Sequence, residues 1–79
     1  MSTLDKLNDV FREVFEDDDL TVTRTSSAKD VAGWDSVMHV TLMIAVERAF
    51  GVRFKSGNVA GLKNVGELAD LVDRMKAGG

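Results

Sequence analysis

Apolar residues recur at helical spacing in three segments of this chain, and no other feature constrains the fold as much. In the first segment the apolar side chains fall within an arc of about 140° when successive residues are placed about 100° apart. These residues are Leu4, Leu7, Val10, Phe11, Val14 and Phe15. Charged residues occupy the opposite side, so the pattern predicts an amphipathic helix that starts near Thr3 and ends by about Asp17.

The last segment has the same one-sided pattern. Its apolar face consists of Val65, Leu68, Ala69, Leu71, Val72 and Met75. Asn64 is followed three residues later by Glu67, and this spacing predicts a capping box at the start of a helix.

The middle segment, residues 36–50, is apolar on two faces. Its main face consists of Met38, Leu42, Met43, Ala45, Val46, Ala49 and Phe50. A second stripe on roughly the other side consists of Val37, Val40 and Ile44. A helix with two apolar faces is buried on both or binds something with one. The second stripe therefore either packs under the preceding loop or forms a surface for a partner or an apolar ligand.

Two connections complete the predicted architecture. Residues 18–35 lack strong periodicity, and loops of that length are often functional; Trp34 is expected to anchor this loop against the helices. After the middle helix, Gly51 is a stop signal, and residues 52–54 favour an extended crossing. The glycines within residues 56–62 permit only one weak helical turn. We predict an all-α four-helix bundle of three main helices and one short, weak helix, formed by a single domain of residues 1–79.

Composition argues against several classes of function. The chain has no cysteine, which fits a cytoplasmic protein and leaves neither disulfides nor thiolate metal sites. No apolar run is long enough to span a bilayer. The acidic run from Asp17 has Val22 and Ala28 where a calcium loop needs glycine and glutamate, so no metal site is expected.

Charge is distributed unevenly along the chain, whose net charge is −3. Residues 1–19 hold seven acids against two bases, whereas residues 36–79 hold four acids against six bases. No basic cluster resembles a nucleic-acid-binding surface, so nucleic acid is not an expected partner.

The stretch GWDSVMHV, residues 33–40, places Asp35, Ser36 and His39 at the start of the middle helix. Ser36 and His39 are three residues apart and share one helix face. Asp35 directly precedes the serine, however, and is not placed to orient the histidine as a catalytic triad requires. We therefore predict no catalytic residue and expect that the protein is not an enzyme. Asp35 is also a common type of N-cap, and His39 is expected either at the rim of the core or beside Ser36.

In this helical frame, the Asp-Ser pair resembles the attachment site of the acyl carrier protein family. The family signature Asp-Ser-Leu corresponds here to Asp35, Ser36 and Val37. The resemblance covers nearly the whole chain, from the Leu4–Phe15 helix through VERAFGVRF to NVGELADLVDRM. The chain also has a histidine one turn after WDS, and in this it resembles some stand-alone carriers of specialised metabolism.

The resemblance implies that Ser36 receives 4′-phosphopantetheine from coenzyme A, and that the thiol of this arm carries acyl groups as thioesters. The helix N-terminus would favour the new phosphate. Asp35 would help present Ser36 to a phosphopantetheinyl transferase. The other expected partners are acyl-transferring and condensing enzymes of fatty-acid, polyketide or related biosynthesis, and the protein is expected to be a monomer. Such carriers shelter acyl chains between the segment at residues 56–62 and the second helix.

Partner docking is assigned to Asp35, Val37, Val40 and Ile44. The resemblance implies an acidic second helix in carriers of bulk fatty-acid synthesis, whereas Glu47 is the one acid in this helix. Docking is therefore expected to depend on the apolar stripe, with the acids of the first helix too distant to substitute. The alternative is a small helical protein-interaction domain that uses the same stripe and carries no prosthetic group.

Overall fold

The computed structural model describes residues 2–55, 59 and 61–78. Within them the chain forms three α-helices and no strand: α1 (Thr3–Val14), α2 (Ser36–Phe50) and α3 (Val65–Gly78). The all-α prediction is confirmed. The fourth helix, predicted at residues 56–62, falls largely outside the described residues. No described helix has both the length and the apolar character needed to cross a membrane.

Both ends of α1 lie within the predicted limits. Ser2 forms a capping box with Asp5, whose backbone N–H donates to the Ser2 hydroxyl at 3.1 Å. The helix was predicted to end by about Asp17 and stops at Val14, because Glu16 adopts a left-handed backbone with φ 53°. The N–H groups of Glu16 and Asp17 then donate to the carbonyls of Glu13 and Arg12, which closes a Schellman motif.

The core lies between the three helices and confirms the apolar faces predicted for them. Its fully buried members are Leu7, Phe11, Val22, Leu42, Val46, Val65, Leu68 and Val72. Burying each large aliphatic or aromatic side chain contributes about 1.5–3 kcal/mol. The loop between α1 and α2 adds Val22 and Val31 to this core, so the loop is part of the packed structure.

Two sets of polar contacts hold this loop in place. The buried amide of Asn8 donates to the Val22 carbonyl at 3.0 Å and accepts from the Val22 N–H at 2.7 Å. Further along, the carbonyls of Arg24 and Ser26 accept from the N–H groups of Gly66 and Val65, each at 2.8 Å. The loop therefore caps the N-terminus of α3 with backbone oxygens.

The capping box predicted for α3 forms only in part. The Asn64 side chain accepts from the Glu67 N–H at 2.9 Å, as expected. The Glu67 carboxylate accepts from the N–H of Lys63 at 3.0 Å rather than from that of Asn64. The reciprocal bond is thus displaced by one residue.

At the opposite end of the molecule, the start of α1 and the end of α3 lie against the end of α2. The Thr3 hydroxyl donates to the Asp73 carboxylate. The ammonium groups of Lys6 and Lys76 lie 5.0 and 5.7 Å from the centre of the Phe50 ring, within the range of cation–π attraction. Gly51 ends α2 in a left-handed conformation with φ 67°.

Candidate functional site

Ser36 is the first residue of α2 and is exposed to solvent. The cap comes from Asp35, whose side chain accepts from the N–H of Met38 at 2.9 Å. The carbonyl of Asp35 accepts from the N–H of His39 at 2.8 Å and begins the helical ladder. The N–H groups of Ser36 and Val37 belong to the first turn and have no partner within the helix. An anion on the serine oxygen would therefore lie at the favourable end of the helix dipole.

The turn before the helix directs the serine outward. Gly33 has a left-handed backbone with φ 85°, and its carbonyl accepts from the Asp35 N–H at 3.0 Å. Trp34 points the other way and packs edge-on against Phe11, with ring centres 5.3 Å apart, and against Phe15 at 6.5 Å. The prediction that Trp34 anchors the loop is confirmed. Because the tryptophan faces inward, the following Asp-Ser pair is held at the surface.

An open groove of about 400 Å³ lies beside Ser36. It is lined by Ala28, Trp34, Asp35, Ser36, His39 and Leu62. A smaller cavity of about 70 Å³ lies further in, where Met43 and Leu68 contribute to its wall. Four residues line both spaces, namely Ala28, Trp34, His39 and Leu62. The hydroxyl thus opens onto a surface groove, and the cavity further in has Met43 and Leu68 on the side of the core and Lys63 and Asn64 elsewhere in its wall.

The phosphopantetheine arm predicted for Ser36 fits these surroundings. The hydroxyl is accessible to another enzyme, the helix N-terminus suits a phosphodiester, and the groove offers space for a chain. No group of metal-ligating side chains occurs among the residues that the structure describes.

His39 lies between Trp34 and the backbone at Val59. Its Nδ1 atom is 3.1 Å from the indole nitrogen of Trp34, and its Nε2 atom is 3.1 Å from the carbonyl oxygen of Val59. The sequence placed His39 near Ser36 but did not identify either hydrogen-bond partner. Val59 is twenty residues away, and no local pattern signals such a contact.

The predicted docking residues form one exposed surface of α2. Val37, Val40 and Ile44 have 74%, 60% and 46% of their surface exposed, so the second stripe is not covered by the loop. Asp35 is exposed at the top of the same helix. These values favour an interaction surface over the packing alternative.

The charges around this stripe differ from those expected. Glu47 is half-buried, and its carboxylate accepts from the N–H of Phe54 at 2.7 Å, so it holds the extended segment after α2. Acids of α1 were expected to lie far from the docking residues, yet Glu13 lines a groove between α1 and α2 together with Ile44 and Arg48. The nearby acid thus comes from another helix, because α1 packs alongside α2.

Comparisons with known proteins identify the family. The model of the phosphopantetheine attachment site family matches residues 5–72. The solution NMR structure of a holo acyl carrier protein from Geobacter metallireducens is 47% identical and has a TM-score of 0.89; the match covers 98% of this chain and 88% of that one. No protein with a curated description matches the chain.

These matches favour the carrier over the alternative interaction domain. They also confirm the resemblance seen in the sequence and the acyl-carrier fold. Proteins of this kind carry covalently bound 4′-phosphopantetheine and are not themselves enzymes. The chain belongs to the acyl carrier protein family.

Proposed function

We propose that Ser36 is the residue to which 4′-phosphopantetheine is attached, and that the thiol of this arm carries acyl intermediates between biosynthetic enzymes. The observation that carries the proposal is the exposed hydroxyl at the first turn of α2, directly beside the open groove. Asp35 contributes by capping the helix, which fixes the backbone that presents the serine.

The groups around Ser36 indicate which parts of the attachment reaction this chain supplies and which the transferase supplies. The serine oxygen forms the new bond to phosphorus, and the nucleotide part of coenzyme A leaves. His39 is engaged by Trp34 and Val59, so it is not free to accept the serine proton. The base and the metal ion are therefore assigned to the transferase, and this chain supplies an accessible nucleophile at a helix N-terminus.

The test is intact mass after incubation with coenzyme A and a broad-specificity phosphopantetheinyl transferase. The parent should gain one phosphopantetheine, and Ser36→Ala should gain none. Ser27→Ala is the matched control, since it removes a serine from the preceding loop and should load like the parent. Because a side chain at the first turn contributes little beyond the Asp35 cap, Ser36→Ala should lower the free energy of unfolding by no more than about 1 kcal/mol. Loading of Ser36→Ala would refute the assignment.

We infer further that partner enzymes dock on Val37, Val40 and Ile44, next to Asp35. Their exposure supports this assignment, as does the use of Glu47 in an internal hydrogen bond. The proposed partners are the phosphopantetheinyl transferase and acyl-transferring and condensing enzymes. An α2 surface without a free carboxylate beyond its cap favours specialised or polyketide-type biosynthesis over bulk fatty-acid synthesis. We also propose that residues 1–79 act as one domain and as a monomer.

A further inference from the structure

We propose that His39 is a gate between the groove beside Ser36 and the inner cavity, and that it keeps short acyl chains in the groove. This inference rests on the proposed attachment at Ser36. In this proposal His39 determines where the acyl chain lies and takes no part in a chemical step.

The first argument is the place of the imidazole ring. The ring lines both the outer groove and the inner cavity, together with Ala28, Trp34 and Leu62. His39 lies one turn after Ser36 on α2, so it flanks the route from the serine to the cavity wall at Met43 and Leu68. Any chain that passes inward from the groove must pass this boundary.

The second argument is that both ring nitrogens are engaged, and their partners fix the tautomer. An indole N–H only donates, so Nδ1 of His39 must accept from Trp34 and carries no proton in this arrangement. The proton of the neutral ring is then on Nε2, which donates to the carbonyl of Val59. The two bonds, each 3.1 Å, come from different parts of the chain and hold the ring across the boundary.

The third argument is the character of the inner cavity. Met43 and Leu68 are buried and apolar, and the space of about 70 Å³ is small. Lys63 and Asn64 also line this space, so it is the part at Met43 and Leu68 that suits a short stretch of hydrocarbon and offers little to a bulky cargo. With the ring in place, a short acyl chain gains access only if the bond to Val59 breaks, and this bond therefore sets the balance between groove and cavity.

Two substitutions separate the two bonds of His39. Glutamine can place an amide N–H near the position of Nε2 and keep the bond to Val59, whereas asparagine can place an oxygen near Nδ1 and keep only the bond from Trp34. If the bond to Val59 closes the gate, His39→Gln should behave like the parent. His39→Asn and His39→Ala should open it.

The experiment loads each protein from hexanoyl-coenzyme A with the broad-specificity transferase and records the methyl NMR signals of Met43 and Leu68. Relative to the holo protein, hexanoyl loading should leave these signals in place in the parent and His39→Gln, and shift them in His39→Asn and His39→Ala. Hydroxylamine should cleave the thioester severalfold more slowly in the two opened variants. Shifted methyl signals in the loaded parent, or an asparagine variant that matches the parent, would overturn the gate.

The unloaded protein provides an independent readout. The indole N–H signal of Trp34 should move in His39→Ala and His39→Gln and stay close to its parent position in His39→Asn, because only asparagine keeps the acceptor. An indole signal unchanged in His39→Ala would contradict the tautomer and the gate. Failure of the parent to gain any arm would instead refute the attachment at Ser36, and the mass spectrum shows this before any NMR signal is compared.

Discussion

Glu16 ends α1 in a conformation that suits glycine better than glutamate. Its φ of 53° is left-handed, which costs a residue with a Cβ atom about 1–2 kcal/mol. Glycine avoids this cost but loses about 0.5–1 kcal/mol through the entropy of the unfolded chain. We therefore expect Glu16→Gly to raise the free energy of unfolding by about 0.5–1 kcal/mol in urea denaturation. Glu13→Gly, inside the helix, should lower it by about 1 kcal/mol. A loss of stability in both variants would refute the argument.

Asn8 is a buried polar residue that stabilises the fold through its side-chain hydrogen bonds. Its side chain pairs with both backbone groups of Val22 and also donates to the Leu4 carbonyl at 3.1 Å. Asn8→Ala leaves the Val22 groups without these partners in the interior, and each such group costs about 1–3 kcal/mol. We expect a total loss of about 2–4 kcal/mol in thermal or urea unfolding. Asp9→Ala, on the exposed side of α1, should stay within about 0.5 kcal/mol of the parent.

At the scale of elements, the contact between the loop and α3 depends on a missing side chain. A Cβ atom added at Gly66 would lie 2.8 Å from the carbonyl oxygen of Arg24, whereas one added at Gly61 would meet nothing within 4 Å. Alanine inside a helix ordinarily stabilises it by about 1 kcal/mol relative to glycine. Here we expect the opposite, a loss of about 1–3 kcal/mol for Gly66→Ala, because the loop must move away. Gly61→Ala is the control and should not destabilise the protein. If Gly66→Ala were more stable than the parent, the loop at Arg24 could move away at little cost, and the prediction would be wrong.

The same contact illustrates which parts of the elements can be predicted from sequence. The limits of α2 follow from Asp35 and Gly51, since a cap and a stop are local signals. The end of α1 could be predicted only to within a few residues, because Glu16 gives no sign of a left-handed residue. The partner of Gly66 lies 42 residues earlier in the chain, and the contact joins two backbones, so no side-chain pattern records it.

In the candidate site, too, some features could be predicted from the sequence and others could not. The Asp-Ser pair and the apolar stripe of α2 could be predicted from periodicity and a short signature. The roles of His39 and Glu47 could not, because each side chain bonds to a backbone group in the segment after α2. Only the folded chain brings that segment against the helix.

At the scale of the whole molecule, most of the acidic excess lies on α1 and the start of the loop. Of these acids, Glu13 lines a groove together with Ile44, which belongs to the proposed docking stripe of Val37, Val40 and Ile44 on α2. A single exposed charge such as that of Glu13 contributes little, and exposed charges further away act weakly beyond a Debye length of roughly 8 Å at physiological salt. We therefore expect the kcat/KM of the broad-specificity transferase for the unmodified carrier to depend only weakly on salt. Val40→Asp and Ile44→Asp should each lower it at least about tenfold, since each removes an apolar contact worth about 1.5–3 kcal/mol.

Two charge variants complete this comparison. Glu13→Gln removes the acid beside Ile44 and should change kcat/KM by no more than about twofold, as for other exposed charges. Glu47→Ala removes an acid already used inside the molecule and should have a smaller effect than either aspartate variant. A steep loss with salt in the parent, or a larger effect from either glutamate, would show that docking is mainly electrostatic.

The hydrogen bond between Thr3 and Asp73 has a practical consequence for the use of this carrier on surfaces and in fusions. It joins the start of α1 to the end of α3, beside Phe50, whereas Ser36 is at the other end of α2. A helix of 15 residues is about 22 Å long. A linker at either terminus therefore leaves from the pole opposite the serine. With the arm on Ser36, as proposed, carriers immobilised in this way would present their cargo outward, and two of them tethered to one scaffold would still leave both arms accessible to enzymes in solution.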